Sequence, residues 1–388
     1  MNSGKMKQLL SYGFGALGHD VYYYSISTFF IAFVTAQMFA GTPHEDAMIA
    51  LVTSLVVIIR LIEIIFDPII GSIIDNTQTR WGKFKPWLVV GGLMSSLMIM
   101  LMFSDFFGLS KSGNRTLFTI VFILSFIILD AFYSFKDIAF WSMIPALSEK
   151  NSERETLGTF ARFGSAIGAQ GATILAIPIT LFFTKGGHTQ GARGFFAFGV
   201  IAALVQGISA LVAAWGTKER ESTIRQQGTK TNTLDVFKAL VKNDQLMWLS
   251  LSYILFAIAY VATTATLILN FTFVIGNVSL YSITGIVGFI GSIILVPLFP
   301  ILAKKFGRRK VLTGAIISML IGYVIFTVGS SVPMTVAGLI FLTTPYQLVF
   351  LSVLMTITDS VEYGQWKNGV RNEAVTLAMR PLLDKIAG

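Results

Sequence analysis

Between short clusters of charge, this chain runs apolar for twenty or more residues at a time, repeatedly, along almost its whole length. Wound as helices, runs of that length match the ~30 Å hydrocarbon core of a bilayer. Lipid offers a backbone no hydrogen bonds, and a helix satisfies its own within each run. Composition agrees: 54% of the 388 residues are hydrophobic and 13% are charged, about half the charged share of a soluble domain. A single soluble globule and a disordered chain are excluded. Cysteine is absent, so there is no disulfide framework and no thiol ligand or nucleophile. The net charge of +9 reads as loop charge that orients helices, not as a nucleic-acid surface. The sequence predicts an all-α polytopic membrane protein.

Ten complete spans are expected, at 9–39, 47–74, 86–107, 117–147, 157–183, 195–215, 246–274, 279–303, 311–330 and 333–358. An eleventh opens near Ala374 and runs about fifteen residues to Gly388, short of the ~20 needed to cross. The chain therefore reads as truncated, with the end of span eleven and span twelve absent. Of the 29 Lys and Arg residues, 20 fall at the N-terminus or after even-numbered spans. The loops after odd-numbered spans hold four: Lys111, Arg115, Lys185 and Arg193. That asymmetry places the N-terminus and the even loops in the cytoplasm. The most charged loop, 216–245, separates an N-terminal six-helix half, 1–215, from an incomplete C-terminal half, 246–388. Basic, glycine-containing turns at 75–86 and 304–310 hold equivalent places in the two halves, as in the repeat architecture of secondary transporters.

Ionisable residues inside spans cost roughly 2.5–3.5 kcal/mol each, so each is a functional candidate. From the helical rise, Asp20 lies about 16 Å and Asp137 about 16 Å from the inner ends of their spans, with Glu63 and Asp67 at about 18 and 12 Å. Four carboxylates at a common depth point to one polar chamber near the midplane. Arg60, Glu63 and Asp67 follow one another at three and four residues, which puts them on one helical face. Two carboxylates that close repel, so the pair holds a cation or shares a proton. A structural salt-bridge cluster is the alternative, but a lock between helices needs no surplus acid. In span four, Asp137 and Trp141 stand one turn apart. A carboxylate accepts hydrogen bonds from hydroxyls, and an indole covers the apolar face of a pyranose. Asp20, with Tyr22, Tyr23 and Tyr24 after it, supplies a second acceptor among aromatic rings. Arg162 in span five is a five-donor fork suited to hydroxyl oxygens or to holding Asp137. Together these residues read as a polyol site in a bundle core. Lys136 lies about 100° around the helix from Asp137, where pairing with another helix competes with substrate contact. His19 lies near the polar zone without an assigned role.

The stretch 60–87, RLIEIIFDPIIGSIIDNTQTRWGKFKPW, resembles the second span and following loop of the glycoside–pentoside–hexuronide:cation symporters, a branch of the major facilitator superfamily. The run 136–162, KDIAFWSMIPALSEKNSERETLGTFAR, resembles their fourth span, loop and fifth span. Gly18-His19-Asp20-Val21-Tyr22, Glu362-Tyr363-Gly364-Gln365 and Arg371-Asn372-Glu373 match as well. The similarity runs through the whole chain and is strongest to members that carry lactose and galactosides, with melibiose permease more distant. The resemblance implies a major facilitator-type bundle of two six-helix halves. It implies a sugar site lined by Asp20, Asp137, Trp141 and Arg162, to which Tyr23 beside Asp20 is added as a candidate, and a cation site at Glu63 and Asp67 with Ser134 beside them. Lys385 matches a span-eleven lysine near the cation site, and with Arg60, Lys136 and Glu373 it makes a candidate charge network. Melibiose permease has Asp where this chain has Glu63; the Glu version belongs to the lactose-type members, which implies a proton as coupling ion, with sodium at Glu63 and Asp67 as the alternative. The missing end is a second departure, since many lactose-type members continue into a phosphotransferase-type regulatory domain.

The expectation is a carrier, not an enzyme, in the bacterial cytoplasmic membrane: galactoside, lactose-like, with a proton by alternating access. It needs no cofactor. Its partners are the glycoside, membrane lipid and the regulatory domain; nucleic acid is not among them, and the oligomeric state stays open. No Gly-Lys-Ser/Thr phosphate loop is present for ATP-driven transport. A membrane enzyme acting on sugar lipids would place its acids at the interface, where headgroups lie, and a sugar sensor would bind without accumulating.

Overall fold

A computed structural model describes residues 3–148, 151–184, 191–219, 242–329, 331–368 and 383. Among them every regular element is a helix. Helix α1 is Ser3–Tyr24. It continues through wide π-turns, Ser25–Phe30 and Val34–Met38, with a single α-turn, Ile31–Phe33, between them. The Ser25 and Ser27 hydroxyls donate back to the carbonyls of Val21 and Tyr23, at 2.7 and 2.8 Å. Such bonds compete with the helical ladder and bend it. They do so immediately after Asp20.

There follow α2, Glu45–Asn76, α3, Lys85–Phe103, α4, Arg115–Ser142, α5, Asn151–Phe183, and α6, Ala192–Gly216. Then come α7, Asp244–Leu269, α8, Ser282–Phe306, α9, Arg308–Val328, α10, Val332–Thr343, and α11, Tyr346–Asn368. Among the described residues, eight stretches are long and apolar enough to cross a membrane. The chain is a multi-pass membrane protein. Helices α1 and α2, which carry much of the expected polar chamber, fall outside those eight. The expected eleventh span, apart from Leu383, and most of 216–245 lie outside the described residues.

The chain divides into two units, Met1–Thr229 and Lys230–Gly388. In the first, α1 packs on α5 and α6, α3 on α4 and α6, and α2 on α4. Helices α1 and α5 meet backbone to backbone. A Cβ on Gly164 would fall 1.9 Å from the Gly13 carbonyl oxygen, and one on Gly168 2.1 Å from that of Leu17. Small residues allow that approach where the hydrophobic effect cannot drive it. Past the end of α6, the Glu219 carboxylate accepts from the backbone N–H groups of Lys83, Phe84 and Lys85 at 2.8, 3.1 and 3.0 Å. This is an N-cap supplied from a distant segment, at the end of a helix whose first amides have no internal acceptor. Gly82, at φ +112°, makes room for it: a Cβ there would lie 2.5 Å from the carboxyl carbon.

In the second unit, α9 packs on α10 and α11, and α7 and α8 both pack on α11. Asn243 caps α7, accepting from Leu246 N–H at 3.1 Å, while its amide donates to the Ser360 carbonyl at 2.8 Å. Tyr260 and Tyr346 stack with ring centroids 4.0 Å apart.

The helices depart from expectation in three places. The third was expected to reach residue 107 but stops at Phe103, because Asp105, Phe106, Phe107 and Gly108 all take positive φ, +55°, +49°, +59° and +89°. Left-handed backbone costs L-residues roughly 1–2 kcal/mol each, and hydropathy carries no sign of it. The fourth ends at Ser142, five residues early, and a short turn, Ile144–Leu147, follows. The tenth breaks between Thr343 and Tyr346 and then continues to Asn368, ten residues beyond the expected end. Pro345 lacks the N–H that would carry the ladder across that break.

Candidate functional site

Helix α4 presents two faces to two sets of neighbours. Tyr133, Asp137 and Trp141 recur every four residues and share one stripe, with Ser134 on its flank; Lys136 is rotated about 100° away. On the first side, the Ser134 hydroxyl donates to Glu63 Oε1 of α2 at 2.5 Å. Ser134 is fully buried, and Glu63 half-buried. One turn further along α4, Asp137 Oδ1 lies 3.2 Å from Nε2 of His19 on α1. The same nitrogen is 3.1 Å from the Tyr133 hydroxyl. Asp137 and His19 are 8% and 5% exposed, so water competes little for either contact.

Aromatic rings wall this region. The imidazole stacks on Tyr133 at 5.2 Å and Phe140 at 5.9 Å, and meets Trp141 edge-on at 6.1 Å and 87°. Tyr22 in turn stacks on Tyr133 at 4.5 Å. The Tyr133 hydroxyl lies within range of the charges of Asp137 and Asp20, and that of Tyr22 within range of Asp130, Glu63 and Arg60. The Tyr22 hydroxyl is buried without a hydrogen-bond partner among the described residues. The two tyrosines thus join the α2 acid to the α1 and α4 acids in one neighbourhood, all within the first unit.

On the other side, fully buried Lys136 donates to the Gln206 side-chain oxygen of α6 at 2.6 Å, and the Gln206 amide donates to Ser95 of α3 at 2.9 Å. Lys136 remains within electrostatic range of Asp137 and Asp20. Its direct bond, however, is to a neutral amide between helices. Asp20, Tyr23, Arg60, Asp67, Trp141 and Arg162 are half-buried on α1, α2, α4 and α5. Glu373 and Lys385 lie outside the described residues.

Two contributors were not assigned from sequence. His19 stands beside Asp20 in a matching motif, and its burial near an acid was the available signal. Gln206 is an uncharged polar residue midway along the apolar run Ala192–Gly216, which is where a partner for a buried lysine is to be sought.

Residues 11–388 match the family described as MFS/sugar transport protein. The chain belongs to the MFS/sugar transport protein family. It is 44% identical to a lactose permease of Leuconostoc lactis over 99% of this chain and 61% of the permease. It is 41% identical to a raffinose carrier protein of Pediococcus pentosaceus over 98% of this chain and 60% of the carrier. The chain thus spans less than two thirds of the length of these relatives. Among solved structures, it superposes on a mutant of the nucleoside transporter NupG with a TM-score of 0.66 at 12% identity, covering 99% of this chain and 88% of that one. A D-xylose–proton symporter gives 0.64 at 15% identity over 99% and 87%. At such identities these likenesses establish the fold, that of major facilitator transporters.

Proposed function

We propose that this MFS/sugar transport chain is the carrier part of a secondary transporter that moves a galactoside, lactose-like, together with a proton across the bacterial cytoplasmic membrane by alternating access. In this reading α1 and α2 also cross, which makes ten spans, and the N-terminus is cytoplasmic. The lactose permeases and the raffinose carrier to which the chain is similar support a sugar as cargo.

One observation carries the coupling: a single turn of α4 holds Ser134 against Glu63 and Asp137 against His19. Asp20, Tyr23, Asp137, Trp141 and Arg162 take the sugar, and Glu63 and Asp67 take the ion. Ionised Glu63 accepts the Ser134 hydroxyl; protonated Glu63 carries a donor of its own and alters that contact three residues from Asp137. Whatever the ion does to sugar affinity, sugar does to ion affinity by the same factor.

The test is uptake of labelled lactose into proteoliposomes holding the whole protein, under imposed proton or sodium gradients. Glu63→Gln is expected to keep exchange of lactose and to lose uphill accumulation. Accumulation unchanged by that substitution would remove Glu63 from the ion site, and accumulation driven by sodium alone would replace the proton.

A further inference from the structure

We propose that His19 is a positioning residue that orients the Asp137 carboxylate and the Trp141 indole for the sugar. The inference rests on the reading of those two residues as the sugar site. Asp137 Oδ1 can only accept while ionised, so the 3.2 Å contact assigns a hydrogen to Nε2 of His19. In the neutral ring, Nδ1 is then a bare lone pair. Nδ1 is buried and has no hydrogen-bond partner among the described residues, an environment that suits a lone pair better than an orphaned N–H.

The ring has little freedom to turn away. Tyr133 and Phe140 stack against it, Trp141 abuts it edge-on, and 5% of its surface is exposed. Fixing Oδ1 against a clamped imidazole also fixes the direction of the second carboxylate oxygen. A rigid acceptor loses less entropy when a hydroxyl binds than one that must first be ordered. The edge contact does the same for the indole plane. One imidazole therefore sets both the polar and the apolar element expected to meet a pyranose.

Lactose affinity of the whole protein, by titration calorimetry, with thermal unfolding in parallel, tests the role. His19→Phe keeps a ring for the stack and removes the donor; it is expected to weaken lactose binding at least tenfold in a protein that still unfolds cooperatively. His19→Gln, whose amide nitrogen reaches the place of Nε2, is expected to recover most of that loss, and the shorter His19→Asn none of it.

Wild-type affinity in His19→Phe alongside lost affinity in Asp137→Asn overturns the inference and leaves the sugar site standing. Undiminished affinity in Asp137→Asn, or no lactose binding by the unaltered protein, overturns the site reading and the inference with it. Should His19→Phe not fold, equal affinities for His19→Gln and His19→Asn overturn the positioning role.

Discussion

Ser134 on α4 donates its hydroxyl to Glu63 on α2 at 2.5 Å, three residues before the aspartate that meets His19. A hydrogen bond to an ionised group is worth about 1.5–3 kcal/mol. The bond therefore holds α2 to α4 as well as shaping the acid. If the two residues act as a pair, Ser134→Ala and Glu63→Gln will not add. The double variant is expected to be no less stable than the worse single one, with a coupling of about 1–2 kcal/mol by thermal unfolding. Strict additivity would show that the contact carries no energy.

Lys136 is fully buried and its direct bond is to Gln206. Gln206→Leu strands the ammonium, at an expected cost of about 2–3 kcal/mol. Lys136→Met in the same background is expected to restore much of the stability, since a buried polar pair replaced as a unit by apolar groups is often neutral. Unfolding temperatures of the two singles and the double decide it.

Glu219, more than a hundred residues away in sequence, accepts three backbone bonds at the entry to α3, from Lys83, Phe84 and Lys85. Glu219→Ala is expected to destabilise by about 1–3 kcal/mol, and Glu219→Gln, which keeps one acceptor oxygen, by less. Cleavage by trypsin after Lys83 should quicken in the same order.

Burial in the left-handed turn after α3 pushes the Asp105 carboxyl up to about 6, against hydrogen bonds from Ser110 and the charge of Lys111, which lower it. The folded state then holds its proton more tightly than the unfolded chain, where the group titrates near 3.8. The resulting stabilisation is complete below the unfolded value and is lost as pH rises through about 6. Asp105→Asn should remove that dependence. The difference in unfolding temperature between the unaltered protein and the variant is expected to favour the former more at pH ~5 than at pH ~7. A difference that does not move with pH would show that the carboxyl is not held in this way.

Much of the fold was legible because what makes a membrane helix is local. An apolar run of sufficient length satisfies its backbone by itself, and the expected ranges overlap the helices found, α1 to α9 singly and α10 with α11 as one broken span. Relations along one helix were legible for the same reason. The spacings of Arg60, Glu63 and Asp67, and of Asp137 and Trp141, follow from 3.6 residues per turn whatever surrounds them. Ser134 beside Glu63 was implied by family resemblance, not by spacing.

Only the tertiary structure decided which helix each face meets. His19 on Asp137, Lys136 on Gln206 and Glu219 on the start of α3 depend on the rotation and closeness of helices far apart in sequence. The Gly13–Gly164 approach sets some of that closeness, and no single run records it. The same holds for the left-handed turn at Asp105–Gly108. Its cost, roughly 1–2 kcal/mol for each non-glycine residue, is met by contacts from elsewhere, such as the Ser110 hydroxyl that bonds both Asp105 and the Met38 carbonyl. Local chemistry determines where the helices are; the pairing of their polar faces is a property of the packed unit.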